Sequence, residues 1–365
     1  MPKVVVIGAG PAGSMAALLL ARGGCSVQLL EQHRFPRDKV CGECLSTLAI
    51  DVLSTAGLVD GIRRLGAVVL THAAVYPTSG PSIQLRLPRA MWGISRHTLD
   101  AYLLAAAREA GAAVRQPVRC EAIEPGARIS LRCRDLSRNV IELYSADCVL
   151  VADGKGSLMG ARPSLTGDFG IKAHFERIDG PRDTIELFGC DQLYGGLAAI
   201  EGGRWDAAFS VPAALLHRHH GDIDSLFAWI AQANPALRRR LAGASRTTDW
   251  LASPLPRYPV RNHWPAGVIP IGNAAAALEP ITGEGIGLAL RSAELAAQTV
   301  LGRPRSTDAH STGLATIYSR LWRPRRTAAR AAALIVSRPR AAEALLPLLA
   351  RLPAGGRSVL KLLGK

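Results

Sequence analysis

Lysine is scarce in this chain: six of the 44 basic residues are lysines (Lys3, Lys39, Lys155, Lys172, Lys361 and Lys365), and arginine supplies the other 38. Aromatic residues make up only 5%. No basic run is interleaved with the stacking aromatics that nucleic-acid surfaces use, so the net charge of +15 does not point to a nucleic-acid partner. It leaves a diffuse excess with no single partner, or a peripheral contact with an anionic membrane. No uninterrupted apolar run reaches the roughly 18 residues a spanning helix requires. The opening MPKVVVIGAG enters a strand directly, leaving no room for a targeting segment. The seven cysteines (Cys25, Cys41, Cys44, Cys120, Cys133, Cys148 and Cys190) are an odd number without pairing order, which suits reduced thiols and a cytoplasmic location. Metal chemistry is also poorly provided for. Cys41-Gly-Glu-Cys44 has no second Cys/His pair at zinc spacing, and His217-Arg-His-His220 has no carboxylate or cysteine beside it at ligand spacing.

The N-terminus supplies what these absences leave room for. An apolar run, Val4–Ile7, is followed by Gly8-x-Gly10-x-x-Gly13, a helix-compatible stretch opened by Pro11 and Ala12, a Gly23-Gly24 stop and a second apolar run ending at Glu31-Gln32. This is the βαβ dinucleotide fingerprint in its required context. Gly8 makes the tight turn, Gly10 lets the backbone approach a diphosphate, and Gly13 lets helix and strand pack closely. The helix N-terminus offers unpaired N–H groups to negative charge. Glu31 is placed to accept hydrogen bonds from a ribose, which favours FAD or NAD over NADP at this site. No second fingerprint follows a strand, so a nicotinamide must dock transiently.

Later stretches separate FAD from NAD. SADCVLVADGKGS runs a strand into Asp153-Gly154. GVIPIGNAAAALEPITGEGIGLALRSAELAA is a strand, a turn at Asn273, a Pro/Gly loop with Pro280, Gly283, Gly285 and Ile286, and a long helix. With the fingerprint, these resemble in order the three signature segments of the FAD-dependent monooxygenase and geranylgeranyl-reductase superfamily, whose best-known fold is that of p-hydroxybenzoate hydroxylase. FPRDKVCGECLS, with Arg37, Cys41 and Gly42, is similar to the Pro-Arg-x-Lys-x-Cys-Gly segment of the geranylgeranyl-reductase branch. ISRHTLDAYLLAAAREAGA places Arg96 where relatives approach the ribityl and phosphate region, and the strand near Val118 is where relatives hold the adenine. The resemblance implies resident FAD, with NAD(P)H as transient co-substrate. It also implies an aspartate where this chain has Asn273; an amide still accepts the ribityl hydrogen bond, at lower strength.

The expected architecture is α/β: a Rossmann-like FAD-binding domain (1–75, 95–165 and 260–310), an inserted β-sheet substrate domain (76–94 and 166–259) and a helical basic C-terminal segment (311–365). Because aromatics are few, His174, Tyr194 and Trp205 are the pocket candidates in the inserted sheet. The basic tail suits an anionic membrane, a dimer contact or a cap folded back on the body. The leading expectation is a monooxygenase hydroxylating a hydrophobic, phenolic or polyketide-type substrate. The alternatives are a flavin-dependent reductase of isoprenoid or lipid double bonds, and a flavin-binding protein without turnover. The Trp-x-Trp-x-Ile-Pro segment of flavin halogenases is absent, which disfavours halogenation. No catalytic residue stands out, as expected where a cofactor carries the difficult step.

Overall fold

Short β-branched runs bounded by glycine build the first layer, a fully buried parallel sheet. In a computed structural model describing residues 2–126, 128–154, 157–160, 164–302 and 307–351, its five strands lie in the order Val268–Pro270, Cys148–Val151, Lys3–Ile7, Ser26–Leu30 and Ala113–Arg115. The fingerprint helix Pro11–Arg22 packs against the helices Arg96–Glu109 and Gly285–Leu301. Their apolar faces close the largest core, which includes Met15, Leu18, Leu103 and Leu290. On the other side a three-stranded antiparallel sheet, Val118–Glu124, Ile129–Asp135 and Val140–Ala146, covers Val5, Ile7 and Val149.

The larger sheet has nine strands. Its centre is a run of neighbours: Asp168–Glu176, Trp205–Pro212, Leu193–Ala199, Thr184–Cys190, Val68–Tyr76 and Ile83–Gly93. It begins earlier in the chain than position 76. Val68–Tyr76 pairs with Ile83–Gly93 and with Thr184–Cys190, and Cys44–Leu45 forms the edge beside Gly93 and Trp92. A hairpin cannot contribute one strand without the other, so both belong to this sheet. Strand alternation gives it two different faces. Ile171, Ala173, Phe175, Trp205, Ala207 and Phe209 pack in a core with Leu226, Phe227 and Ile230 of the helix Ile223–Ala233. The intervening Lys172, His174 and Asp206 are buried, and His174 lies directly opposite Asp206 in the register.

The C-terminal helix Thr307–Val336 joins the layers. Leu314, Tyr318 and Trp322 enter the first core, while Ala329, Ala333 and Val336 pack on Tyr194 and Ile281. Arg325 Nε donates to Glu284 Oε2 at 2.7 Å, and Tyr318 donates to the Pro270 carbonyl at 3.2 Å. This part of the tail is therefore folded back on the body. Among the described residues no helix is long and apolar enough to cross a membrane.

Candidate cofactor cleft and apolar cavity

The fingerprint glycines are needed for contact between backbones. A Cβ on Gly13 would sit 1.7 Å from the Gly8 carbonyl oxygen, and Gly8 itself has φ +96° with the Ala152 carbonyl 2.5 Å from where its Cβ would be. Gly10 differs: a Cβ there would meet only Arg96 Nη2 at 3.9 Å and would otherwise project into a cleft. As N-cap of the Pro11–Arg22 helix it provides no side chain to the first-turn N–H groups, and Pro11 has none of its own to satisfy.

That cleft is lined by Gly10, Pro11 and Ala12, by Lys39, Cys41, Gly42 and Glu43, by Arg96, Ala152 and Gly154, and by the segment from Ile271 to Ala289. The last contributes Asn273, Pro280, Gly283, Gly285 and Ile286, with Gly283 at φ +67°. The long helix Gly285–Leu301 begins here, again without a side-chain cap. Two uncapped helix N-termini, a lysine and an arginine thus face one cleft, a fit for the diphosphate and flat ring of a flavin dinucleotide. Arg96 is fixed by two hydrogen bonds to Asp100, at 2.7 and 2.6 Å. Burial opposes its charge, but Asp100 outweighs that and raises its pKa. Burial, with Arg96 and Arg37 nearby, outweighs Asp100 and Cys41 at Lys39 and lowers its pKa to about 8.

Glu31 is buried at the end of its strand. Its carboxylate accepts the Ala9 and His33 N–H groups, both at 2.7 Å, and so ties the fingerprint turn to the second strand while keeping further lone pairs. Val118, whose N–H donates to the Glu31 carbonyl at 2.7 Å, is beside it. Gln32 is exposed. Arg37 lies over the Phe35 ring and pairs with Asp100 at 3.7 Å, behind the lining residues. Asp153 accepts the Leu158 N–H at 3.0 Å. The Asn273 amide meets no partner among the described residues and is available to a ligand. Neither Cys41 nor Cys44 forms a disulfide among the described residues, and burial raises the Cys41 pKa.

A second cavity, of about 120 Å³, adjoins the cleft and shares Val40, Cys41, Gly42, Cys44, Leu255, Pro280 and Gly283 with it. Its remaining lining comes mostly from the large sheet and is mainly apolar, including Met91, Ile185, Leu187, Leu197 and Ala208, with Tyr194, Asp206 and Ser210 as its polar members. Of the three aromatic candidates only Tyr194 lines it, and its hydroxyl donates to Glu279 Oε1 at 2.6 Å. Trp205 belongs to the core on the other face. His174 lies behind the wall, with Nε2 2.7 Å from Glu43 Oε2. The sequence reading missed Lys39, Glu43, Lys172 and Asp206. A lysine and a histidine two apart in the apolar strand FGIKAHFE were the available signal. Asp38, Glu43 and His174 approach one another within 4.8 Å, but the Lys172 ammonium, 2.5 Å from Glu43, already supplies the positive charge these groups face.

The description "FAD binding domain" matches residues 1–172. The chain is 28% identical to a menaquinone reductase of Mycobacterium tuberculosis, over 82% of this chain and 76% of the relative. It is 26% identical to conditioned medium factor receptor 1 of Dictyostelium discoideum over 82% of its own length, and spans 63% of that protein. A solved flavin-dependent brominase superposes with a TM-score of 0.87 at 19% identity, covering 100% of this chain and 93% of the brominase, a likeness of fold. Residues 1–172, which supply one side of this cleft, thus match the FAD binding domain, and relatives cover most of the sequence; the chain is an FAD-dependent enzyme, similar to oxidoreductases of the p-hydroxybenzoate hydroxylase-like and geranylgeranyl-reductase superfamily.

Proposed function

We propose that this enzyme is an FAD-dependent reductase that saturates a carbon–carbon double bond in a hydrophobic, isoprenoid-class lipid, with NAD(P)H as transient electron source. One observation carries the reading. The cavity beside the cofactor cleft is lined mainly by apolar residues and, among its described lining residues, has no cationic side chain. Hydroxylation of a phenol, the leading expectation from sequence, is assisted by ionising the phenol, and a cavity with no cationic side chain among its described lining residues does not stabilise a phenolate. An apolar chain asks only for burial, worth about 25 cal/mol per Å². The relative named for menaquinone, a polyprenyl quinone, supports the same substrate class.

Bound FAD supplies the hydride chemistry. The chain binds, orients and excludes water. Lys39, Arg96 and the N–H groups after Gly10 hold the diphosphate, while Asn273 offers its amide to the ribityl chain. The Pro280–Gly283 turn and the Cys41-Gly42 segment form the wall common to cleft and cavity, so a ligand in the cavity lies against the cofactor with little room for water. A lipid substrate suits a peripheral contact with an anionic membrane through the exposed Arg323, Arg330, Arg338 and Arg340 of the C-terminal segment.

The test is anaerobic incubation of FAD-loaded enzyme with NAD(P)H and a polyprenyl quinone, read by mass spectrometry. The expected product has gained two hydrogens at a side-chain double bond, a gain that survives reoxidation of the ring to the quinone. A product that forms only in air and carries one added oxygen would return the assignment to hydroxylation. Stoichiometric FAD with no NAD(P)H oxidation would favour a binding protein.

A further inference from the structure

Four ionisable side chains lie almost dry between the cleft and the cavity: Glu43 is 0% exposed, and Lys172, His174 and Asp206 are 1% exposed. Glu43 lines the cleft and Asp206 lines the cavity. Between them Lys172 Nζ is 2.5 Å from Glu43 Oε1 and 3.9 Å from Asp206 Oδ1. His174 Nε2 is 2.7 Å from Glu43 Oε2 and 3.9 Å from Asp206 Oδ1. Two buried atoms, Asp206 Oδ1 and His174 Nδ1, meet no hydrogen-bond partner. Burying such a group unsatisfied carries a desolvation penalty, and a purely structural cluster would be better replaced by hydrocarbon. The cluster reaches toward water at Asp38: Lys172 Nζ is 3.6 Å from Asp38 Oδ1, whose side chain is 35% exposed.

We propose that Asp206, His174, Glu43 and Lys172 form a proton store for the apolar cavity, discharged at Asp206 and refilled from solvent through Asp38. The acceptor, an alkene carbon, rests on the reductase reading; the store does not. On discharge the Asp206 O–H bond breaks and a C–H bond forms on the substrate. The accompanying hydride, with its electron pair, originates from the reduced nicotinamide. Asp206 then recovers a proton through His174, Glu43 and Lys172. The groups facing it are Lys172 and His174 from its neighbouring strand and Asp38, Cys41 and Glu43 from the preceding loop. Burial and the neighbouring Glu43 raise the Asp206 pKa well above the carboxylate range, against the opposing pull of Lys172. Burial disfavours the Lys172 charge, but Asp206 and Glu43 outweigh it and raise its pKa.

Infrared spectroscopy of the full-length, FAD-loaded protein in H₂O and D₂O tests the store without any substrate. The wild type should show a protonated-carboxyl band at neutral pH that D206N abolishes, H174Q shifts and D38N preserves with slower deuterium exchange. Absence of the band from the wild type, or its persistence in D206N, overturns the proposal. So does unaltered exchange in D38N. In the alkene reaction D206N should slow substrate turnover by about 100-fold while NAD(P)H still reduces the flavin at its normal rate; equal turnover would make the cluster merely structural. A wild type that reduces no alkene fails the reductase reading, and the infrared arms still decide the store.

Discussion

At the residue scale, Gly10 and Gly13 separate binding from folding. G13A drives a methyl into the Gly8 carbonyl, so it should cost at least about 3 kcal/mol and lower the melting temperature of the apoprotein. G10A meets nothing closer than 3.9 Å and should leave that temperature unchanged while weakening FAD binding, measured by flavin fluorescence. Lys39 gives a pH dependence. Its cation is present below its lowered pKa of about 8 and lost above it, so affinity for the FAD diphosphate should fall as pH rises through that value, and K39M should flatten the curve. N273D should tighten FAD retention by restoring a charged acceptor to the ribityl chain; unchanged retention and flavin potential would show that the amide serves equally well. The glycines were legible in the sequence because their spacing encodes local backbone geometry. The proton cluster was not, since Glu43 and His174 are 131 residues apart. Trp205 and Asp206 show the same limit more sharply: a one-residue change of strand parity exchanges core and cavity, and rarity of aromatics says nothing about parity.

Among the elements, the helix Arg96–Glu109 has the most instructive start. Ser95 is its N-cap, accepting from the Thr98 N–H at 3.1 Å, as the Ile-Ser-Arg stretch suggests. Nothing local to this stretch signals that Glu201 comes from a distant turn to hold that cap. It accepts the Ser95 N–H at 2.8 Å and the Thr98 hydroxyl at 2.7 Å. Burial pushes the Glu201 pKa up, but these hydrogen bonds win and hold it below the usual glutamate range. Its contribution is therefore fully present above the unfolded value of about 4.5 and lost as pH falls through the lower folded one. E201Q should cost about 2 kcal/mol at neutral pH and show a shallower acid limb in thermal unfolding. The two helix N-termini at the cleft were anticipated because a glycine turn feeding an apolar run is a local signal. The edge strand Cys44–Leu45 was not, being too short to carry a period of its own.

For the whole molecule, three sequence segments far apart, each carrying a strand followed by a turn, place their strands side by side in one parallel sheet. How the basic tail sits was left open between membrane, dimer and cap; through Thr307–Val336 it is folded back, because Tyr318 and Trp322 lie on its inner side. W322A should cost about 3–5 kcal/mol. The outer arginines make a separate prediction: sedimentation with phosphatidylglycerol vesicles should exceed that with phosphatidylcholine and weaken with salt, and equal binding would remove the membrane from the proposal. The folded-back helix also sets an order of events during synthesis. Every described residue that lines the cofactor cleft lies at or before Ala289, whereas the packing around Tyr194 and Ile281 awaits Ala329, Ala333 and Val336. A chain emerging from the ribosome can thus assemble its cofactor site before the cavity is buttressed, and a ribosome stalled between these points would present a flavoprotein with an unsealed hydrophobic flank.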